Sequence, residues 1–168
     1  PGFHFSGAQK GVDTFDLRFK RPNAGDFISP KALHSVEHML ATALRNGKCK
    51  DSVLYFGPMG CRTGFYLLTV GLTCEEVFSA LKTALVAALA MDEVPGSARV
   101  ECGNYLEHDL ADAKRECSAY LALLASLSEE NTAKLKEMRP DESVVGWAFR
   151  FLQSVPGVTV SLSGMSNL

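Results

Sequence analysis

The chain has 168 residues, of which 46% are hydrophobic and 21% charged, a composition typical of a folded domain with an apolar core. Seventeen basic and nineteen acidic residues leave a formal charge of −2, so general binding to nucleic acid is not expected. The longest apolar run, residues 84–91, is far shorter than the roughly 20 residues needed to cross a bilayer. We therefore expect neither a nucleic-acid nor a membrane partner.

The first predicted elements are a strand and a helix. Residues 13–20 alternate between apolar and polar side chains, which predicts a half-buried strand. Ser29 followed by Pro30 predicts a helix start, with serine as the N-cap and proline in the first turn, and Asn46-Gly47 predicts its end. The apolar stripe of this helix consists of Leu33, Val36, Leu40 and Leu44.

Two strands and a second helix are predicted next. Residues 53–56 and 65–70 read as short strands on either side of a turn rich in glycine and proline. Thr73 and Glu76 have the spacing of a capping box, and the apolar pattern that follows predicts a helix to about Met91.

The last third of the chain changes in character. A short strand is predicted at Arg99–Cys102, and Asp109 is expected to cap a further helix. A highly charged segment begins at residue 128, so we place a domain boundary between residues 127 and 128. Beyond it, residues 141–152 predict a helix and residues 158–162 a strand.

The five cysteines are an odd number and are spread widely along a chain that does not need cross-links to fold. They are Cys49, Cys61, Cys74, Cys102 and Cys117. This usage is typical of a reducing compartment, and the start of the chain has no pattern of a secretory signal. We expect the protein in the cytoplasm.

The strongest local motif is H-x-x-E-H on the first helix. His34 and His38 are four residues apart and share one helix face, which suits two ligands of one metal ion, and Glu37 neighbours that face. The alternative is a pair of helix histidines that only form hydrogen bonds. A metal needs a third protein ligand, for which the candidates are His4, His108 and the five cysteines. Among them, Cys102 is followed by a glycine that allows close approach of the backbone.

Two further residues could take part in chemistry. Cys61 follows a proline-glycine turn and should be presented to solvent, where a nearby cation would favour its thiolate as a base or nucleophile. Arg18 lies on the polar face of the first predicted strand and could bind an anionic group. The alternative for Arg18 is an ordinary solvated strand residue, and an isolated cysteine is usually a small core residue.

Four segments in this order closely resemble the S-ribosylhomocysteine lyase (LuxS) family over about residues 1–125. They are FDLRFKRPN, HSVEHMLATALRN, VLYFGPMGCRTGFYL and ECGNYLEHDLADAK. The resemblance implies an α+β fold with an antiparallel sheet packed against helices, here followed by a C-terminal appendage. It also implies a homodimer with its two active sites at the subunit interface.

The resemblance assigns roles to residues of this chain. The implied ligands of one divalent ion per subunit, with iron(II) expected and zinc or cobalt as alternatives, are His34, His38 and Cys102. The implied acid and base are Glu37 and Cys61, and the implied substrate-binding residue is Arg18. The implied reaction moves the sugar carbonyl of S-ribosylhomocysteine by isomerisation and then eliminates homocysteine. The other product is 4,5-dihydroxy-2,3-pentanedione, the precursor of autoinducer-2.

Two departures from the family leave rival interpretations open. The family has a substrate-contacting segment ahead of the position of Pro1, and residues 128–168 instead resemble one unit of an aldo/keto reductase barrel, too little for reductase activity. The chain could therefore be a non-catalytic metal-binding remnant. It could also be an H-x-x-E-H metallopeptidase, which would have no role for Cys61 or Cys102.

Overall fold

The computed structural model describes the backbone of residues 1–138 and the side chains of residues 1–127. The chain divides into two compact units, Pro1–Leu123 and Leu124–Leu168. The elements in chain order are β1 (Gly2–Gln9), β2 (Val12–Arg18), α1 (Pro30–Arg45), a 3₁₀ turn (Lys50–Ser52), β3 (Val53–Pro58), β4 (Gly64–Val70), α2 (Cys74–Leu89) and α3 (Leu110–Met138). None of the helices in these described residues is long and apolar enough to span a membrane.

The four strands form one antiparallel sheet in the order β1-β2-β4-β3. Strands β1 and β2 are joined at Lys10 and Gly11, whose φ angles of 52° and 79° are the positive values of a two-residue hairpin turn. In the pairing of β2 with β4, Arg18 lies opposite Gly64. This register brings the end of β2 alongside the turn that joins β3 to β4.

The core of the first unit lies between one face of the sheet and helices α1 and α2. The alternation of β2 and β4 predicts this face, because every second side chain of a strand points the same way. The sheet contributes Phe15, Leu17, Phe65 and Leu67, and the helices contribute Val36, Leu40, Leu81 and Leu85, all of them buried. The predicted α+β fold, with an antiparallel sheet packed against helices, is confirmed.

The three predicted helix starts that fall within the described residues are present. The Ser29 hydroxyl accepts a hydrogen bond from the backbone N–H of Ala32 at 3.2 Å, and a proline follows it. Thr73 and Glu76 form the full capping box of α2. At the start of α3, the Asp109 carboxylate accepts from the backbone N–H of Asp112 at 2.9 Å. Each cap satisfies amide groups that the first helical turn leaves free.

The structure differs from the predicted strands at two places. Strand β1 is not predicted by the sequence pattern, because Gly2 and Gly7 break up its alternation, and it is held in the sheet by its pairing with β2. The strand predicted at Arg99–Cys102 is wrong. The backbone N–H groups of Glu101 and Cys102 both donate to the carbonyl of Ala98 at 2.9 Å, so this segment is a turn.

The predictions for the C-terminal part of the chain are not tested by the structure. The boundary placed between residues 127 and 128 falls within α3 and stays a prediction. The helix predicted over residues 141–152 and the strand over 158–162 lie outside the described residues.

The capping box of α2 provides a test of local stability. We expect Thr73→Ala to lower the free energy of unfolding by about 1 kcal/mol, because the Glu76 amide loses its acceptor. Thr83→Ala, at an exposed position of the same helix, should change it by less than about 0.5 kcal/mol. Urea unfolding measures both, and equal effects would contradict a role for the cap.

Candidate metal centre and active site

Four possible metal ligands converge on one point beside helix α1. His34 and His38 come from α1, while Cys102 and His108 come from the loop of residues 90–109, here called the ligand loop. Their ligand atoms all lie within 4.8 Å of one another. The Cys102 Sγ atom is 3.5 Å from Nε2 of His34, 3.6 Å from Nε2 of His108 and 4.0 Å from Nε2 of His38.

These distances fit a single divalent ion. A tetrahedral ion with bonds of about 2.3 Å to sulfur and 2.0–2.1 Å to nitrogen holds the two ligand atoms about 3.5 Å apart. Two of the three measured sulfur–nitrogen distances have this value, and the third is slightly longer. The Cys102 side chain is buried, and the backbone N–H of Asn104 donates to its sulfur at 3.4 Å. The cluster can therefore hold a metal without rearrangement of the backbone.

The hydrogen bonds behind the cluster set the orientation of the two helix imidazoles. Nδ1 of His34 lies 3.0 Å from the carbonyl of Glu107, and Nδ1 of His38 lies 2.9 Å from the carbonyl of Pro95. A carbonyl only accepts, so each Nδ1 carries the proton and each Nε2 keeps a free lone pair toward the cluster. The ligand loop thus supplies both carbonyls as well as Cys102.

The fourth member, His108, was a candidate in the sequence but was not predicted as a ligand. Its Nδ1 atom lies 3.3 Å from the hydroxyl of Ser35, a buried residue of α1. Burial lowers the pKa of His108, and the nearby rings of His34 and His38 lower it further, which favours the neutral form that ligands need. No periodic pattern marks this residue, because the irregular ligand loop alone brings it to the cluster.

A pocket of about 460 Å³ opens next to the cluster. Its wall includes Glu37 and His38, so the helix that provides two of the histidines also places a carboxylate beside them. The other lining residues are Ala41, Thr42, Arg45, Asn46, Tyr55, Phe56, Pro95 and Gly96. A polar small molecule in this pocket could contact the Glu37 carboxylate as an acid or base and the Arg45 guanidinium as a cation.

A second polar group surrounds Cys61, on the turn between β3 and β4. Nη1 of Arg18 lies 2.6 Å from Oγ1 of Thr63 and 3.7 Å from the Cys61 sulfur. Oγ1 of Thr63 lies 3.0 Å from the same sulfur. On its other side, Arg18 donates from Nε to Asp16 at 3.0 Å and pairs with the same carboxylate through Nη2. Arg18 is thus a partner of the thiol and not a solvated strand residue.

The thiol of Cys61 is set up to ionise. Hydrogen bonds from the side chain and backbone of Thr63, followed by the charge of Arg18, hold its pKa below the ordinary value. Cys61 is exposed, so its thiolate is accessible as a base or nucleophile. By contrast, burial raises the pKa of Cys117 to about 12, which matches the expectation of an unreactive core residue.

The predicted site residues therefore fall into two groups. The structure brings His34, His38 and Cys102 together, with Glu37 on the adjoining pocket wall. It brings Arg18 and Cys61 together on the sheet. Within the described part of the chain, no hydrogen bond joins the Cys61 group to the cluster. No sequence pattern marks the partners Thr63, in the turn before β4, and Asp16, in β2, because short polar residues are common in turns and strands.

The cluster provides a test of metal binding. We expect Cys102→Ala and His38→Ala each to weaken metal binding by more than about 100-fold, because losing only a hydrogen-bond partner behind a ligand typically costs 10–100-fold. Cys49→Ala, outside the cluster, should keep the wild-type metal content. Elemental analysis after dialysis measures the ions per chain. A full complement in Cys102→Ala would show that its sulfur is not a ligand.

Comparison with known proteins identifies the family of this chain. Residues 4–131 match the family described as S-Ribosylhomocysteinase (LuxS). The S-ribosylhomocysteine lyase of Borreliella afzelii is 43% identical over 121 residues, which cover 70% of this chain and 77% of that protein. The enzyme of the same name from Phocaeicola vulgatus is 44% identical over 124 residues, covering 71% and 77%. The Clostridium beijerinckii protein of that name is 40% identical over 139 residues, covering 78% and 87%. The chain belongs to the S-ribosylhomocysteinase (LuxS) family.

Proposed function

We propose that this chain is a carbon–sulfur lyase that cleaves S-ribosylhomocysteine into homocysteine and 4,5-dihydroxy-2,3-pentanedione, the precursor of autoinducer-2. Membership of the family and the names of the curated relatives support this activity. The observation that carries it is the convergence of His34, His38 and Cys102 at distances suited to one ion, next to a pocket with a carboxylate. The enzyme acts on a polar small molecule.

The mixed nitrogen and sulfur ligands suit a divalent transition metal. We expect iron(II), with zinc or cobalt as alternatives, held by His34, His38 and Cys102. A bound ion of this kind polarises a carbonyl or hydroxyl oxygen and so makes the adjacent C–H bond more acidic.

Glu37 and Cys61 move the protons in this proposal. Each isomerisation step takes a proton from one sugar carbon and returns one to its neighbour, so the carbonyl moves along the chain. In the elimination step, a base removes a proton next to the carbonyl, the C–S bond breaks, and the sulfur leaves with the electron pair and gains a proton. No oxidant or reductant is consumed. The lowered pKa of Cys61 supports its role as the base, and the Arg18 guanidinium stabilises the thiolate and binds substrate beside it.

The lyase fits the site better than the two rivals. A metallopeptidase with an H-x-x-E-H motif has no use for a cysteine in the cluster, yet Cys102 lies at its centre. A non-catalytic metal-binding remnant has no use for an exposed thiol that is stabilised as a thiolate.

The lyase reaction is tested by release of homocysteine from S-ribosylhomocysteine by iron(II)-loaded protein. Cys61→Ala and Glu37→Gln should each lower kcat by about 10²–10⁴-fold, as expected for loss of a general acid or base, and both should keep their metal. Cys49→Ala should keep wild-type turnover. A thiol-sensitive dye detects the product at substrate concentrations far above that of enzyme. Unimpaired turnover in Cys61→Ala would contradict the mechanism, and wild-type protein without turnover would favour the non-catalytic remnant.

We also propose a homodimer with active sites at the subunit interface. The face of the sheet opposite the core presents Tyr66 and Val70 of β4, which are 41% and 38% exposed. Large apolar side chains on an open sheet face favour contact with another protein surface. Within the described residues no hydrogen bond links the Cys61 group to the cluster, which is consistent with a site completed by a second subunit.

The dimer is tested by light scattering. The wild-type particle should have about twice the chain mass of 18.2 kDa. Tyr66→Glu places a charge on the open sheet face and should shift the protein toward monomers. Val86→Glu, at an even more exposed apolar position on helix α2, should leave the dimer intact. A wild-type monomer, or equal effects of the two substitutions, would argue against this interface.

Two further predictions accompany the proposed function. We infer a cytoplasmic location, which the five unpaired cysteines support. The resemblance of residues 128–168 to a unit of an aldo/keto reductase falls outside the described residues beyond residue 138, and the family match reaches residue 131. We still predict that residues 128–168 add no reductase activity.

A further inference from the structure

We propose that Thr63 is a positioning residue for the lyase reaction, whose hydroxyl oxygen accepts a hydrogen bond from Arg18 and whose hydroxyl proton is donated to the Cys61 sulfur. The inference rests on the proposed role of Cys61 as the base. It concerns a residue outside the predicted site, which has no charge and no contact with the metal cluster.

The direction of the hydrogen bonds follows from counting donors. A threonine hydroxyl has one proton to donate and lone pairs that accept, whereas a guanidinium only donates. At 2.6 Å from Nη1 of Arg18, Oγ1 of Thr63 must therefore be the acceptor. Its own proton is free for the sulfur of Cys61 at 3.0 Å, which is much closer than the 3.7 Å between that sulfur and Arg18. The threonine is thus the nearer donor, and the arginine acts largely through it.

Asp16 fixes the arginine in this orientation. Its carboxylate receives the Nε and Nη2 groups of Arg18, so only Nη1 faces Thr63 and the thiol. Asp16 and Arg18 are two residues apart on one strand and therefore lie on the same face. His4 lies opposite Asp16 on β1, and burial lowers its pKa, so it adds little positive charge near neutral pH.

A backbone hydrogen bond and burial restrict the position of the Thr63 hydroxyl. Thr63 is 1% exposed, and its carbonyl accepts from the backbone N–H of Lys20 at 2.9 Å, which ties it to the end of β2. The exposed thiol of Cys61 therefore has a buried donor, the Thr63 hydroxyl, which is shielded from hydrogen bonding to water. A preorganised donor stabilises a negative charge without the cost of reorientation. The lowered pKa of Cys61, with Thr63 as its largest cause, agrees with this geometry.

The experiment compares threonine variants of matched burial. Thr63→Val keeps the shape of the side chain but removes the hydroxyl, and should raise the pKa of Cys61. The readout is the rate at which iodoacetamide alkylates Cys61 as a function of pH, followed by mass spectrometry of its peptide. At pH values below the pKa, the thiolate fraction falls about tenfold for each unit by which the pKa rises, so the alkylation rate should fall there and its pH profile should move to higher pH. In turnover, kcat should fall more than KM changes.

The controls separate the hydroxyl from general effects of packing. Thr69→Val removes an equally buried hydroxyl of strand β4 that has no partner among the described residues, and should leave the pKa of Cys61 unchanged. Thr63→Ser keeps a hydroxyl and should restore most of the wild-type profile. Thr63→Ala removes the same hydroxyl with a smaller side chain and should also raise the pKa of Cys61, which covers the case in which Thr63→Val does not fold.

The outcomes distinguish this inference from the proposed function. An unchanged pKa of Cys61 in Thr63→Val, or in Thr63→Ala if the former does not fold, overturns the role of Thr63. A raised pKa that serine reverses supports it. If the wild-type protein shows the low thiol pKa but releases no homocysteine, the proposed lyase activity fails while the hydrogen-bond arrangement stands.

Discussion

The site depends on the attachment of the ligand loop to helix α1. The helix alone provides two imidazoles one turn apart, which is too few groups to hold an ion. The loop brings the sulfur of Cys102, and its carbonyls at Pro95 and Glu107 fix the rings of His38 and His34. One segment without regular secondary structure thus supplies a ligand and also orients the ligands of its neighbour. The metal centre therefore forms only where the ligand loop packs against α1.

The thiol site depends in the same way on the pairing of β2 with β4. Because Arg18 lies opposite Gly64, its guanidinium reaches the turn that carries Cys61. A shift of one residue in this register would move Arg18 to the other face of the sheet, among core side chains. The alternation that buries Phe15 and Leu17 excludes that shift. The apolar core on one face of the sheet therefore sets the position of a polar side chain on the other face.

Sequence rules succeeded where the interactions are local. The caps at Ser29 and Thr73 involve groups within three residues, and the H-x-x-E-H motif uses the helix period alone. The rules failed where distant segments decide the structure. Strand β1 gains its order from β2, and His108 reaches the cluster through the path of an irregular loop. Thr63 looks like an ordinary polar residue until β2 brings an arginine to its oxygen.

Gly64 links the sheet to the chemistry of the thiol. A Cβ atom at this position would lie 2.3 Å from the carbonyl oxygen of Leu17, so any larger residue would push β2 and β4 apart at this end. The gap would open between the guanidinium of Arg18 and the turn beyond it. A mutation that alters no acid, base or ligand could thereby disable the thiol while the metal centre stays whole. Gly64 thus maintains the spacing of β2 and β4 that the Cys61 group requires.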